Sequence, residues 1–131
     1  MLDSIAVFNL QIAWIWMLLG FVSGAILGSF FHHEGWLGGY SSFRRRMYRL
    51  GHISFFGLSI MNLMFFVTVR EAGLTGPLVA WASPGFAVGA LTMPVCCALM
   101  AHFPRTRLLF AVPVISLIGA CVLTIVALAQ L

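Results

Sequence analysis

The sequence predicts an all-α fold, a polytopic integral membrane protein built as a bundle of four transmembrane helices. Three observations carry that expectation. Hydrophobic residues make up 62% of the 131-residue chain and charged residues 8%, with a mean hydropathy of +1.07, whereas a soluble domain is about half apolar and about a quarter charged. Four apolar runs, at residues 8–31, 53–69, 78–101 and 108–131, approach or exceed the roughly 20 residues needed to cross the hydrocarbon of a bilayer. The runs are continuous, without the alternation over about 10 residues that marks a barrel strand. Little chain is left between them, so a single membrane domain over residues 1–131 is expected, with no soluble catalytic module.

The first run, 8–31, reads as a permanent helix. A secretory leader places a basic segment ahead of an apolar core of about 7 to 15 residues; here Asp3 is the charge that precedes the run, and the run is longer than such a core. Gly20, Gly24 and Gly28 form two consecutive G-x-x-x-G steps on one face, with Ser23 beside them. Lipid tails offer no hydrophobic drive for helix association, and small residues at this spacing let a neighbouring helix come close. His32 follows Gly28 by four residues and continues the stripe.

Between the first two runs lies HHEGWLGGYSSFRRRMYRLGH, residues 32–52. Gly35, Gly38 and Gly39 let the chain turn, and Ser41 or Ser42 can cap a short helix. In that helix Phe43, Met47 and Leu50 fall on one side, with Arg44, Arg45, Arg46 and Arg49 between them. The pattern suits a short cytoplasmic helix lying in the membrane interface, with Trp36 and Tyr40 as interfacial aromatics. Anionic lipid headgroups are then the partner of the Arg44–Arg49 segment. A basic site for an anionic ligand or a partner subunit is the other reading of the same residues.

Helix 2, 53–69, carries Ser59 and Asn62 near the face of His52, placed to hydrogen-bond a neighbouring helix or to line a small site. Helix 3, 78–101, offers Gly85 and Gly89 for close packing, while Pro84 and Pro94 interrupt its hydrogen bonding. Its stretch MPVCCALM sets Met93, Cys96, Cys97 and Met100 at helical spacing. Thioether and thiolate favour Cu(I)-type ions, so one reading is a soft-metal transporter; adaptable apolar packing is the other. Helix 4, 108–131, contains Pro113 and a small-residue series, Ser116, Ala120 and Thr124. Cys121 falls at a different depth from Cys96, so free thiols are expected.

Six arginines, Arg44, Arg45, Arg46, Arg49, Arg105 and Arg107, lie in the loops at one end of the bundle, against Arg70 at the other. The positive-inside rule places loops 32–52 and 102–107 in the cytoplasm and both termini outside a plasma or energy-transducing membrane. The sequence pI near 9.6 then reflects topology, and nucleic acid is not an expected partner.

That orientation puts all four histidines on the cytoplasmic side. Imidazole is the commonest biological metal ligand and a usual axial ligand of haem iron. Two sites are expected. In one, His52 and His102, on neighbouring helices, hold a b-type haem, with His32 facing the same space and arginines near the propionates. In the other, His32, His33, Glu34, His52 and His102 collect a zinc or iron ion. Histidines that merely hydrogen-bond helix ends at headgroup level are the plainer alternative. No Asp, Glu, Lys or Arg lies well inside a run, where proton relays and ion-coupled transporters keep them. A phosphate-binding glycine loop, H-E-x-x-H and a Ser-His-Asp set are absent from the sequence, so catalysis by this chain alone is not expected. The residues point to a small accessory or cofactor-bearing subunit of a larger membrane complex, in electron transfer, with a soft-metal transporter or a purely structural subunit as alternatives. Reporter fusions or cysteine labelling should place residues 37–50 inside the cell and both termini outside. A cytoplasmic carboxyl terminus would overturn the orientation, and with it the cytoplasmic placement of the histidines.

Overall fold

A computed structural model describes residues 2–131 of the chain. It consists of α1 (Leu2–Phe30), α2 (Phe43–Glu71), α3 (Pro77–His102) and α4 (Ala111–Leu128), with 3-10 turns at Trp36–Gly38 and Pro104–Phe110. Four helices are long and apolar enough to cross a membrane, the last counted as Pro104–Leu128. No strand occurs among the described residues. The chain is an all-α, four-helix membrane bundle.

The boundaries depart from expectation at α2. The separate surface helix expected at residues 43–50 forms the first two turns of α2, which runs unbroken from Phe43 to Glu71. Ser42 starts it, its side chain accepting the Arg45 N–H at 3.2 Å. Gly51, at the change from basic to apolar composition, does not interrupt the ladder. It brings α3 close instead: a Cβ there would lie 3.3 Å from Cys97 Cβ. The change in composition marks where the helix meets solvent, and a helix once nucleated continues through such a change.

The α2–α3 turn is written in its residues. Gly73 takes the left-handed conformation (φ 62°) just past the helix. Its N–H meets the Arg70 carbonyl, and Leu74 N–H reaches back to Val69 O at 3.0 Å, the pairing of a Schellman stop. Leu74 and Val69 are both buried, supplying the apolar contact that accompanies this stop. Gly76 (φ 97°) and Pro77 at the first position of α3 complete the reversal.

Helix α2 packs between α1 and α3, and α4 packs along α3. Small residues set both outer contacts. On α1, Gly20 makes room for the ring of Phe56 and Gly24 for the imidazole of His52, where an added Cβ would come within 2.8 Å of either. On α3, Gly85 receives Ala120 and Gly89 receives Leu117 of α4, while Ser116 donates to the Gly85 carbonyl at 2.6 Å. Gly28, the third member of the α1 stripe, has nothing within 4 Å of a would-be Cβ.

At the end of the bundle away from the arginine-rich loops, α1, α2 and α3 are tied by amides and hydroxyls. Asn9 and Asn62 are both 0% exposed, so each must find partners within the protein. Asn9 Nδ2 donates to Asn62 Oδ1 at 2.8 Å, and Ser83 Oγ donates to Asn9 Oδ1 at 2.5 Å. Asn62 Nδ2 bonds the Leu58 carbonyl of its own helix at 2.8 Å, and Ser59 bonds the Ala13 carbonyl across to α1 at 2.6 Å. Asn62→Ala removes the acceptor for Asn9 and should lower stability by about 1–2 kcal/mol, measured as equilibrium unfolding in bicelles. A variant as stable as the parent would show that these amides do not hold the three helices together.

Candidate functional site

Asn9 meets Ser83 and Trp16 meets Ala90, so α1 and α3 run parallel with a constant offset in numbering. Pro94, inside α3, has no N–H, which leaves the carbonyl four residues earlier, that of Ala90, without its helical donor. Trp16 Nε1 supplies one at 2.9 Å. Past this bond, in the turn that carries Pro94, α1 and α3 stand apart over α2. Between them lies a cavity of about 720 Å³, within the range of small-ligand sites. Its walls are apolar and include five aromatic side chains, Trp16, Phe30, Trp36, Tyr48 and Phe55. Its lips, among them Ile26 on α1 and Leu91 and Val95 on α3, are more than half exposed and apolar. The cavity therefore opens sideways, onto the surface that meets lipid.

His52 is the histidine that lines this space. Ser23 Oγ lies 3.0 Å from the Gly20 carbonyl and 2.9 Å from His52 Nδ1, so it ties the imidazole to α1. Gly24 lets the ring lie against α1, and the Phe56 ring meets it edge-on at 5.3 Å between centroids. A histidine hydrogen-bonded through one ring nitrogen at a cavity wall is placed as metal-binding and base-acting imidazoles are.

The other expected site residues fall elsewhere. His102 is exposed and bonds Tyr48 through Nε2 at 2.8 Å. It lines a separate pocket with Ser42, Arg44 and Pro104. Tyr48, one turn before His52 on α2, lines the first cavity, so the expected His52–His102 pair is divided between two spaces. His32, expected in the same space, is exposed and stacks against His33 at 4.0 Å, with Glu34 also exposed beside them. Among the described residues no three His, Cys, Asp or Glu side chains converge as a metal-ion cluster. Cys96 turns towards the Leu109 carbonyl at 3.5 Å, which Pro113 cannot reach with an N–H, whereas Cys97 packs on Gly51 of α2. Met93 packs with Ile12, Leu58 and Ala90. Met100 is half-buried further along α3. The two thiols of the soft-ligand series thus leave α3 in different directions.

Arg45 is the residue that sequence reasoning placed wrongly. It is 1% exposed, while Arg44, Arg46 and Arg49 of the same run are exposed. Its Nε donates to the Trp36 carbonyl at 2.6 Å and its Nη2 to the His33 carbonyl. The guanidinium carbon lies 4.4 Å from the centre of the Tyr40 ring and 5.4 Å from that of Trp36, distances at which a cation is held by an aromatic face. Tyr40 in turn bonds the Phe31 carbonyl at 2.7 Å. Ser42 closes the clasp by donating to Leu37 O at 2.7 Å. Leu37, which borders both pockets, has φ 53° and is the non-glycine residue of positive φ among the described residues. Such a conformation persists where its surroundings impose it.

No family model, curated protein or solved structure matches this chain. Arg45→Lys keeps the charge but loses the planar fork and the stacking face. The 33–42 segment should then open more readily by about 2 kcal/mol, seen as roughly 30-fold faster amide exchange confined to it. Unchanged exchange would mean that the clasp does not hold the loop.

Proposed function

We propose that this protein is a small cofactor-bearing subunit of a membrane electron-transfer complex, holding a planar, lipid-soluble redox cofactor in the cavity between α1 and α3. The reading is carried by His52, whose Nδ1 is bonded to Ser23 and which lines a laterally open cavity with five aromatic side chains. The lipid-facing lips give such a ligand a way in from the bilayer, and the aromatic walls suit a flat ring system. Loops 32–52 and 102–107 lie on the cytoplasmic side in this reading. Arg44, Arg46 and Arg49 lie there against anionic headgroups, each contributing about 1 kcal/mol. Arg45 is committed to the loop.

The divergent thiols of α3 favour packing over a Cu(I) path, since neighbouring ligands on a path have to face one channel. A purely structural subunit has no use for an anchored histidine in a cavity. The protein purified in native-lipid discs should retain a cofactor, read by reduced-minus-oxidised absorbance and by mass spectrometry of the organic extract. His52→Ala should lower the retained amount by about tenfold or more, while His33→Ala, on the exposed loop, should leave it within roughly twofold. Discs that carry no cofactor from either the parent or the variants would overturn the reading.

A further inference from the structure

We infer that the pocket between the first turn of α2 and the last turn of α3 is a binding site for one anionic phospholipid, with its phosphate held by Arg44 and His102. A defined site of this kind goes beyond a general attraction of basic loops to headgroups, and it stands whether or not the other cavity holds a cofactor.

The pocket measures about 670 Å³ and is mixed in chemistry. Leu37, Phe43 and Pro104 give it apolar walls, whereas Arg44 and His102 are the lining groups able to carry positive charge. Arginine offers a phosphate a planar fork of donors and a permanent charge; histidine adds a second charge in its protonated form. Tyr48 ties the His102 ring through Nε2 at 2.8 Å. The backbone contributes at the same place. Ser42 starts α2 by accepting the Arg45 N–H, and its carbonyl accepts that of Arg46. The amides of Phe43 and Arg44 precede the first intrahelical bond, at the end of the helix that favours an anion.

A separate observation also calls for negative charge here. Arg45, held in the clasp that Ser42 and Leu37 close, is 1% exposed, and its Nη1 is buried without a hydrogen-bond partner among the described residues. An uncompensated buried cation is costly. Ser42 and Leu37 also line the pocket, so a phosphate there sets an anion against the same loop and offsets part of that cost.

Position favours a lipid over a soluble phosphate. The 29 residues of α2 extend about 43 Å at 1.5 Å each, against roughly 30 Å of hydrocarbon. The excess lies ahead of the apolar run that begins at residue 53, which lifts Phe43 and Arg44 to headgroup level. The third span ends at His102, on the other wall of the pocket. Phe43 is itself exposed, and Phe103, between the lining residues His102 and Pro104 in the chain, is 62% exposed. Acyl chains have an apolar surface to follow from the pocket into the bilayer; a free phosphate has no use for one.

The test is native mass spectrometry of the protein released from detergent after titration with dioctanoyl phosphatidic acid, dioctanoyl phosphatidylcholine or glycerol 3-phosphate. The parent should take up one phosphatidic acid per chain, about tenfold or more tightly than either other probe. Arg44→Gln and His102→Gln should each weaken that binding, the arginine change by about tenfold, while Arg46→Gln and Arg49→Gln should leave it within about twofold. All four side chains are exposed, so the melting temperatures of the variants should stay near that of the parent. Equal losses from the three arginine changes would replace the site by diffuse attraction of the whole basic segment and overturn the inference. So would uptake of phosphatidylcholine as tight as that of phosphatidic acid, and glycerol 3-phosphate bound as tightly would make the ligand a soluble phosphate instead of a lipid. None of these results alters the retained-cofactor measurement on His52→Ala, so failure here leaves the cofactor reading standing.

Discussion

A backbone carbonyl that has lost its donor inside a bilayer has to be given another, because no water is there to take the place. Most of the architecture at the arginine-rich end follows from one such carbonyl. Pro94 strips Ala90 O of its helical partner, and Trp16 restores one from the neighbouring helix. That bond pins α1 to α3 at one depth and marks where they separate. The indole is therefore both the replacement donor and a wall of the cavity that opens beyond it. A weaker tie joins α3 to the turn before α4, where the Cys96 thiol, a weak donor, lies 3.5 Å from Leu109 O. Pro94 thus creates a tie between helices as well as a break within one.

Close packing does the remaining work of placing His52. Helix α2 presents His52 and Phe56, one turn apart, to Gly24 and Gly20 of α1. The glycines let bulky rings of α2 lie against the α1 backbone, which brings the imidazole within reach of Ser23, one residue from Gly24. In this way a packing motif fixes a hydrogen bond, and the hydrogen bond fixes the orientation of the imidazole. The link from sequence to chemistry runs through helix separation.

How much of this was legible depends on whether a feature belongs to one helix or to a pair. Number of spans, all-α character and the common end of the histidines follow from composition and order along the chain, and each concerns a helix taken singly. The glycines at 20 and 24 were recognisable as a contact face, although nothing in the stripe said that side chains of α2, not another backbone, would fill them, or that Gly28 would be left open. The direction of a side chain across the bundle is a property of two helices. His52 and His102 share an end and yet face different pockets, with Tyr48 between them. Cys96 and Cys97, adjacent and so about 100° apart around the axis, separate for the same reason. The role of Trp16 had a readable signal, since a proline inside a span advertises the carbonyl four residues before it. Arg45 had none: three consecutive arginines look alike until the loop folds over one of them.

The two ends of the bundle are held by different means, and the difference bears on what the cavity can do. Away from the arginine-rich loops, Asn9, Asn62, Ser59 and Ser83 bind α1, α2 and α3 to one another through buried hydrogen bonds, and Phe65 packs against Phe86 at 5.0 Å. Towards those loops α1 and α3 are joined through α2 and through the loop that Arg45 clasps. Side chains at the lips can rotate, and the separation of the two helices can change, without breaking any bond of the amide lattice, because the Trp16–Ala90 bond stands between the two regions. Helix α4 is seated along α3, on the far side from α1, through Gly85 and Gly89. In the proposed reading, a ligand in the cavity beside His52, which Ser23 and Gly24 hold on α1, would not have to unpick the part of the fold that keeps the helices together.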